Sequence, residues 1–143
     1  MPLPWRSALL CVWIAFAAAA QQTPVCAGCH RAIWETYSQT GMGRSFYRPS
    51  PAAMSGLAGA SYYHQPSESW FTMVERDGSY FQRRHQTGRD GRAVNVMEKR
   101  IDFIMGSGNH ARTYLSRTAR GTLVELPLGW YAGKGGYLAM NPG

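Results

Sequence analysis

The chain has 143 residues, 15 Lys and Arg against 8 Asp and Glu, a net charge of +7 and three cysteines, Cys11, Cys26 and Cys29. That length holds one ordinary domain, and a composition 45% apolar and only 16% charged excludes a disordered or low-complexity chain. Three cysteines are too few for a disulfide-rich miniprotein.

Residues 1–20 read as a secretory signal peptide, with Arg6 at the front, an apolar run over residues 8–19, and a small-residue exit at Ala18-Ala19-Ala20. The run is shorter than the ~20 apolar residues a spanning helix needs, and no later stretch approaches it. No membrane span is expected in the mature chain, whose expected location is the periplasm or the medium. Cleavage removes Cys11 and leaves Cys26 and Cys29, both inside Cys26-Ala-Gly-Cys29-His30.

A Cys-x-x-Cys-His run that opens a helix places two sulfurs on one turn, where each can form a thioether to a haem vinyl group. The next residue's imidazole then reaches the iron. Cys26 and Cys29 are the expected anchors of a haem c and His30 its proximal iron ligand. Three rival readings stay open. A redox dithiol expects a preceding strand, for which Gln21-Gln-Thr-Pro-Val25 leaves no room. A zinc site would need His30, His64, His85 or His110 at no recognisable spacing. A disulfide across two residues closes too small a loop to stabilise much.

Ile33, Trp34 and Tyr37 then fall at helical spacing, and Thr40-Gly-Met-Gly43 ends the helix. Residues 49–61, rich in Pro and Ala, read as a linker long enough to carry His64 across to the distal face of a haem. Beyond it the period is two. Runs over residues 70–75 and 79–84 flank Asp77-Gly78, a two-residue hairpin signal, and further turns are expected at Asp90-Gly91 and Arg120-Gly121. Residues 106–111 match a Gly-x-Gly-x-x-Ala dinucleotide pattern, but the following segment is too short and β-prone for a crossover helix, so a tight turn between strands is expected. In the last strand Val124, Leu126, Leu128 and Trp130 alternate, and Pro127 predicts an edge strand.

The second axial position on the iron separates an electron carrier from a small-molecule binder. His64 ranks first among the candidates on this chain, ahead of His110, His85 and Met140. All but two of the cationic residues are arginine, and several cluster at Arg83-Arg84, Arg89, Arg92, Arg112, Arg117 and Arg120. Such a face would suit an acidic redox partner or haem propionates, against the plainer reading of a solvated basic sheet. Export, rather than charge, argues against nucleic acid as a partner.

Cys26-Ala-Gly-Cys29-His30, Ile33, Tyr37, Thr40-Gly-Met42 and Ser45-Phe46 together resemble the first haem segment of secreted multihaem c-type cytochromes, of the kind related to the electron acceptor of hydroxylamine oxidation. Bacterial proteins that place such a domain ahead of tetratricopeptide repeats are the nearest likeness. Residues 106–115, Glu125-Leu-Pro-Leu-Gly-Trp-Tyr131 and Ala139-Met-Asn-Pro-Gly143 resemble later blocks of that group. The resemblance implies further Cys-x-x-Cys-His motifs or repeat domains in a longer protein, of which this chain would be a truncated part. It also nominates Met42 as a distal ligand, because a histidine commonly stands at that place in relatives. A straight helix rising ~1.5 Å per residue would carry Met42 away from its own iron, so only a sharp return at Gly41 and Gly43 brings it back.

The expected architecture is α+β, a short N-terminal haem-bearing helix packed on an antiparallel β-sheet. The expected segments are a signal peptide at 1–20, a haem-attachment segment at 21–48, a linker at 49–61 and a β-rich region at 62–143. The expected function is electron transfer through one covalent haem, by a carrier more than an enzyme. The alternatives are a haem-based sensor or interaction module with an open distal site, and a subunit of a larger multihaem oxidoreductase.

Overall fold

The computed structural model describes residues 25–142, so residues 1–20, read as a signal peptide, and Cys11 within them lie outside the described residues. Two short helices, α1 (Val25–Cys29) and α2 (Arg31–Tyr37), precede the strands. The first sheet contains β2 (Ser61–His64), β3 (Ser69–Arg76), β4 (Ser79–Thr87) and β5 (Ala93–Arg100), in that spatial order. The second contains β1 (Phe46–Tyr47), β6 (Phe103–Met105), β7 (Ala111–Arg117), β8 (Leu123–Tyr131) and β9 (Tyr137–Met140), ordered β1-β6-β7-β8-β9. Every pairing is antiparallel.

Local chemistry sets the hairpins. Asp77 and Gly78 both take positive φ, 51° and 68°, which gives the two-residue turn whose twist matches that of the strands it joins. Arg76 then pairs with Ser79, and the ladder runs to Ser69 opposite Gln86. The glycine-rich stretch 106–110 joins β6 to β7 as a turn between antiparallel strands, as expected.

Period-two alternation on β3 turns Ser69, Phe71 and Met73 inward. Phe71 and Met73 meet Ile104 of β6, Tyr114 of β7, and Leu126 and Leu128 of β8 in one core between the two sheets. Residues 49–61, read as a linker, contribute Met54 and Leu57 to that core. A tether without packed side chains would leave both exposed.

A helix packed on a sheet is therefore not the architecture. The chain is predominantly β, two antiparallel sheets face each other, and the helices are short. α2 buries no residue, and α1 and α2 pack chiefly on each other. The apolar face that called for a cover is covered by the other sheet together with Met54 and Leu57. Seven residues interrupted by Arg31, Glu35 and Thr36 carry no apolar stripe wide enough to compete. Among the described residues no helix is long and apolar enough to cross a membrane.

Pro127 does not put β8 at an edge, because β8 pairs with both β7 and β9. A bulge accommodates it. Thr113 pairs with Gly129 and Leu115 with Glu125, so the ladder skips residues 126–128. The skipped backbone groups find other partners. Asn141 donates from its side-chain amide to the Leu126 carbonyl (2.8 Å) and from its backbone N–H to the Pro127 carbonyl (2.7 Å). Gln82, on the opposite sheet, donates to the Leu128 carbonyl (2.9 Å) and accepts from the Leu128 N–H (3.1 Å).

The arginines are not gathered on one face. Arg83 and Arg84 alternate across β4, while Arg112 stands over Trp130 and donates to the Ala53 carbonyl at 2.8 Å. Arg48 and Arg117 lie over Phe103, and Arg76 over Phe81.

Tyr114 is fully buried, and its hydroxyl has no hydrogen-bond partner. Burial pushes its pKa from 10 to about 12, against the opposing pull of Arg112. The native state therefore holds a proton that the unfolded chain releases from pH 10 upward, so stability falls between pH 10 and about 12. Tyr114→Phe removes an unsatisfied polar atom and should stabilise the fold by about 1 kcal/mol. Urea titrations at pH 7 and pH 11 should show that gain and a shallower alkaline decline.

Candidate functional site

α1 is a single turn that holds Cys26 and Cys29 three positions apart, and it ends at His30. There the backbone leaves the helix (φ −125°, ψ 46°) before α2 begins. Three residues of separation on a helix is about one turn. The Cys29 thiol is free and exposed, and His30 is exposed beside it. The break at His30 is bridged by Trp34, whose N–H donates to the His30 carbonyl at 2.9 Å.

α2 holds its shape through local bonds. Arg31 and Glu35, four apart, form an exposed ion pair at 2.8 Å, and the Thr36 hydroxyl donates back to the Ala32 carbonyl at 2.9 Å. The apolar residues of this segment stay uncovered. Ile33 is 67% exposed and Tyr37, one turn on and on the same face, 50%; Val25 and Met42 are exposed as well. Thiol, imidazole and an uncovered apolar face thus occur together, which is the donor set and the surface that a covalently tethered haem requires. The residues present fit that group.

A tight turn follows α2, at the end of that helix remote from His30. A Cβ on Gly43 would lie 2.1 Å from the Tyr37 carbonyl oxygen, so the chain doubles back onto the last turn of the helix and carries Met42 with it. The same turn rests on the β6–β7 loop. A Cβ on Gly41 would touch Asn109 and Ser107 at 3.4–3.5 Å, and the Gly106 N–H donates to the Ser45 carbonyl at 2.6 Å. Met42 and exposed His110, next to Asn109, therefore belong to one end of the molecule, where α2 ends.

His64 lies elsewhere in the topology. It closes β2 opposite Ser69, on the inner face of its sheet, with Nδ1 at 2.8 Å from the Ser67 hydroxyl. Together with Met140 it lines a cleft of about 330 Å³ between the sheets, and no residue of 25–45 lines that cleft. His85 sits opposite Trp70 on the outer face of β4, its Nδ1 buried without a partner. Among the described residues no three His, Cys, Asp or Glu side chains converge to hold a metal ion between them.

The sequence reading put Arg84 in an outward basic cluster and passed over Lys99. Both line the cleft alongside His64. The inward positions of β4 run Tyr80, Gln82, Arg84, Gln86, and this change from apolar to polar on a buried face was the available signal. No protein-family model, curated protein or solved structure matches the chain.

Proposed function

We propose that the chain is an exported c-type cytochrome domain that binds one covalent haem through Cys26, Cys29 and His30 and passes single electrons to a partner protein. The observation that carries this reading is the exposed Cys29–His30 pair at the end of the one-turn helix that also bears Cys26, beside the uncovered face of Ile33 and Tyr37. When bound, the haem supplies a ferric/ferrous couple. The two cysteines would hold the ring, His30 would offer an imidazole nitrogen to the iron, and exposed Ile33 and Tyr37 would give the group apolar contact.

Met42 and His64 are the proposed distal ligands. Met42 is exposed in the turn that packs on Tyr37, and its nomination comes from the likeness to multihaem cytochromes. His64 has its Nδ1 engaged by Ser67 and therefore offers Nε2. The likeness to multihaem cytochromes that place haem domains ahead of tetratricopeptide repeats belongs to the same proposal.

Protein made in a host with haem-attachment machinery should retain its haem through denaturation and acid extraction, and should give a pyridine haemochrome spectrum. Haem that extracts freely would overturn the reading. Carbon monoxide added to the ferrous protein then reads the distal position. An unchanged spectrum marks a six-coordinate carrier, and a shifted one favours the open-site sensor. Substituting Met42 and His64 singly identifies the ligand by loss of the low-spin signature.

A further inference from the structure

Apart from His64, the cleft between the sheets has a chemistry that the haem reading does not use. Its floor comes from the inner face of the four-stranded sheet, where the cross-strand rows Phe71–Arg84–Met97 and Met73–Gln82–Lys99 lie side by side. Leu126, Pro127 and Met140 of the other sheet form the facing wall. The walls are mostly apolar, yet His64, Arg84 and Lys99 point in, and no Asp or Glu lines the cleft. Its volume, about 330 Å³, falls at the small end of the range for ligand sites, roughly 300–1,000 Å³.

Arg84 is oriented by the protein rather than neutralised by it. Arg84 donates from Nε to the Ser69 hydroxyl at 3.1 Å, and fully buried Ser69 is itself fixed by donating to the Ser67 carbonyl at 2.8 Å. Ser67 also receives Gln86 on its carbonyl (3.0 Å) and meets His64 through its hydroxyl. This network orients the guanidinium and leaves its two terminal nitrogens for another partner. Among the described residues neither Arg84 nor Lys99 forms a salt bridge. Gln82 is fixed by Leu128, which takes one of its N–H groups and one lone pair of its oxygen.

A cation on the inward face of a sandwich breaks the pattern that folds the rest of the sheet, and such breaks are expected at functional sites. We propose that this cleft binds a small amphipathic carboxylate, with the carboxylate on the terminal nitrogens of Arg84 near Lys99 and the apolar body against Phe71, Leu126 and Met140. The planar guanidinium matches a carboxylate with two parallel hydrogen bonds. The apolar walls select an acid with a hydrocarbon body over inorganic phosphate. The site does not depend on haem attachment.

Calorimetric titration of the full mature chain with decanoate should give saturable binding at one site. Decan-1-ol, with the same tail and no charge, should bind about ten-fold more weakly, and inorganic phosphate should not bind there. Arg84→Met should cost decanoate about ten-fold in affinity and leave decan-1-ol unchanged. Lys99→Met, at an exposed position that tolerates substitution, should weaken decanoate alone and decides the matter if Arg84→Met misfolds. No saturable binding, equal affinity for decanoate and decan-1-ol, tight phosphate binding, or indifference to both substitutions would each overturn the proposal.

Discussion

Cys26→Ala/Cys29→Ala protein, produced beside haem-attachment machinery, is expected to carry no covalent haem at all, whereas each single variant keeps the ring by one bond. The singles should also differ in colour. One vinyl left unreacted stays in conjugation with the ring and moves the haemochrome band to longer wavelength. A haem-stained denaturing gel with spectra of the extracted and retained fractions measures both effects. Covalent haem surviving in the double variant would remove Cys26 and Cys29 from the attachment site. His30→Ala should keep the thioethers and lose the low-spin spectrum. Since α1 and α2 pack chiefly on each other, and Cys29 and His30 are exposed, these substitutions should change the unfolding free energy of the haem-free chain by no more than about 0.5 kcal/mol. A loss of attachment can thus be separated from a loss of fold.

The second large effect belongs to the fold itself. Gln82→Leu should lower the unfolding free energy by about 2–4 kcal/mol, because it strands two buried backbone groups at about 1–3 kcal/mol each. The register explains why no neighbour rescues them. β8 carries Leu126, Pro127 and Leu128 opposite a stretch of β7 with no room for their ladder bonds. Asn141 already serves Leu126 and Pro127, and Gln82 serves both groups of Leu128. Leucine has a similar size and fills the same space, so the loss reads the hydrogen bonds and not a cavity. Met73→Leu, at the position paired with Gln82, is the control and should cost less than about 1.5 kcal/mol. Equal losses for the two variants in urea denaturation would show that packing, not the amide, joins the sheets at this point.

Turn chemistry was legible because it is local. Asp77-Gly78 can adopt two successive positive φ values at little cost, and the register of the whole β3–β4 hairpin follows from that one turn. The motif Cys26-x-x-Cys29-His30 was legible for the same reason, since spacing within one turn needs no knowledge of the rest of the chain. What covers a buried face is not local. Alternation at Phe71 and Met73 announced a buried side, and either a helix or a second sheet satisfies such a side equally well. Pro127 suggested an edge because proline cannot donate to a neighbour, but a bulge takes up the proline, and Gln82, 46 residues before Leu128, satisfies the backbone groups the bulge leaves unpaired. Residues 49–61 looked like a tether by composition, although Met54 and Leu57 are the kind of residues a core recruits. The inward cations Arg84 and Lys99 became visible only once β4 and β5 were in register.

Four of the arginines stand over aromatic rings, with Arg48 and Arg117 sharing Phe103, Arg76 on Phe81 and Arg112 on Trp130. Their charge is fastened to the scaffold by contact with a π face as well as by its field. Added salt, which weakens attraction between separated surface charges over about 10 Å at 0.1 M, leaves these contacts largely intact. A lysine in any of the four places would keep the charge and lose the planar guanidinium. The preference for arginine in this chain is in that sense a preference for shape, and much of the positive charge counted from the sequence acts as mortar between strands.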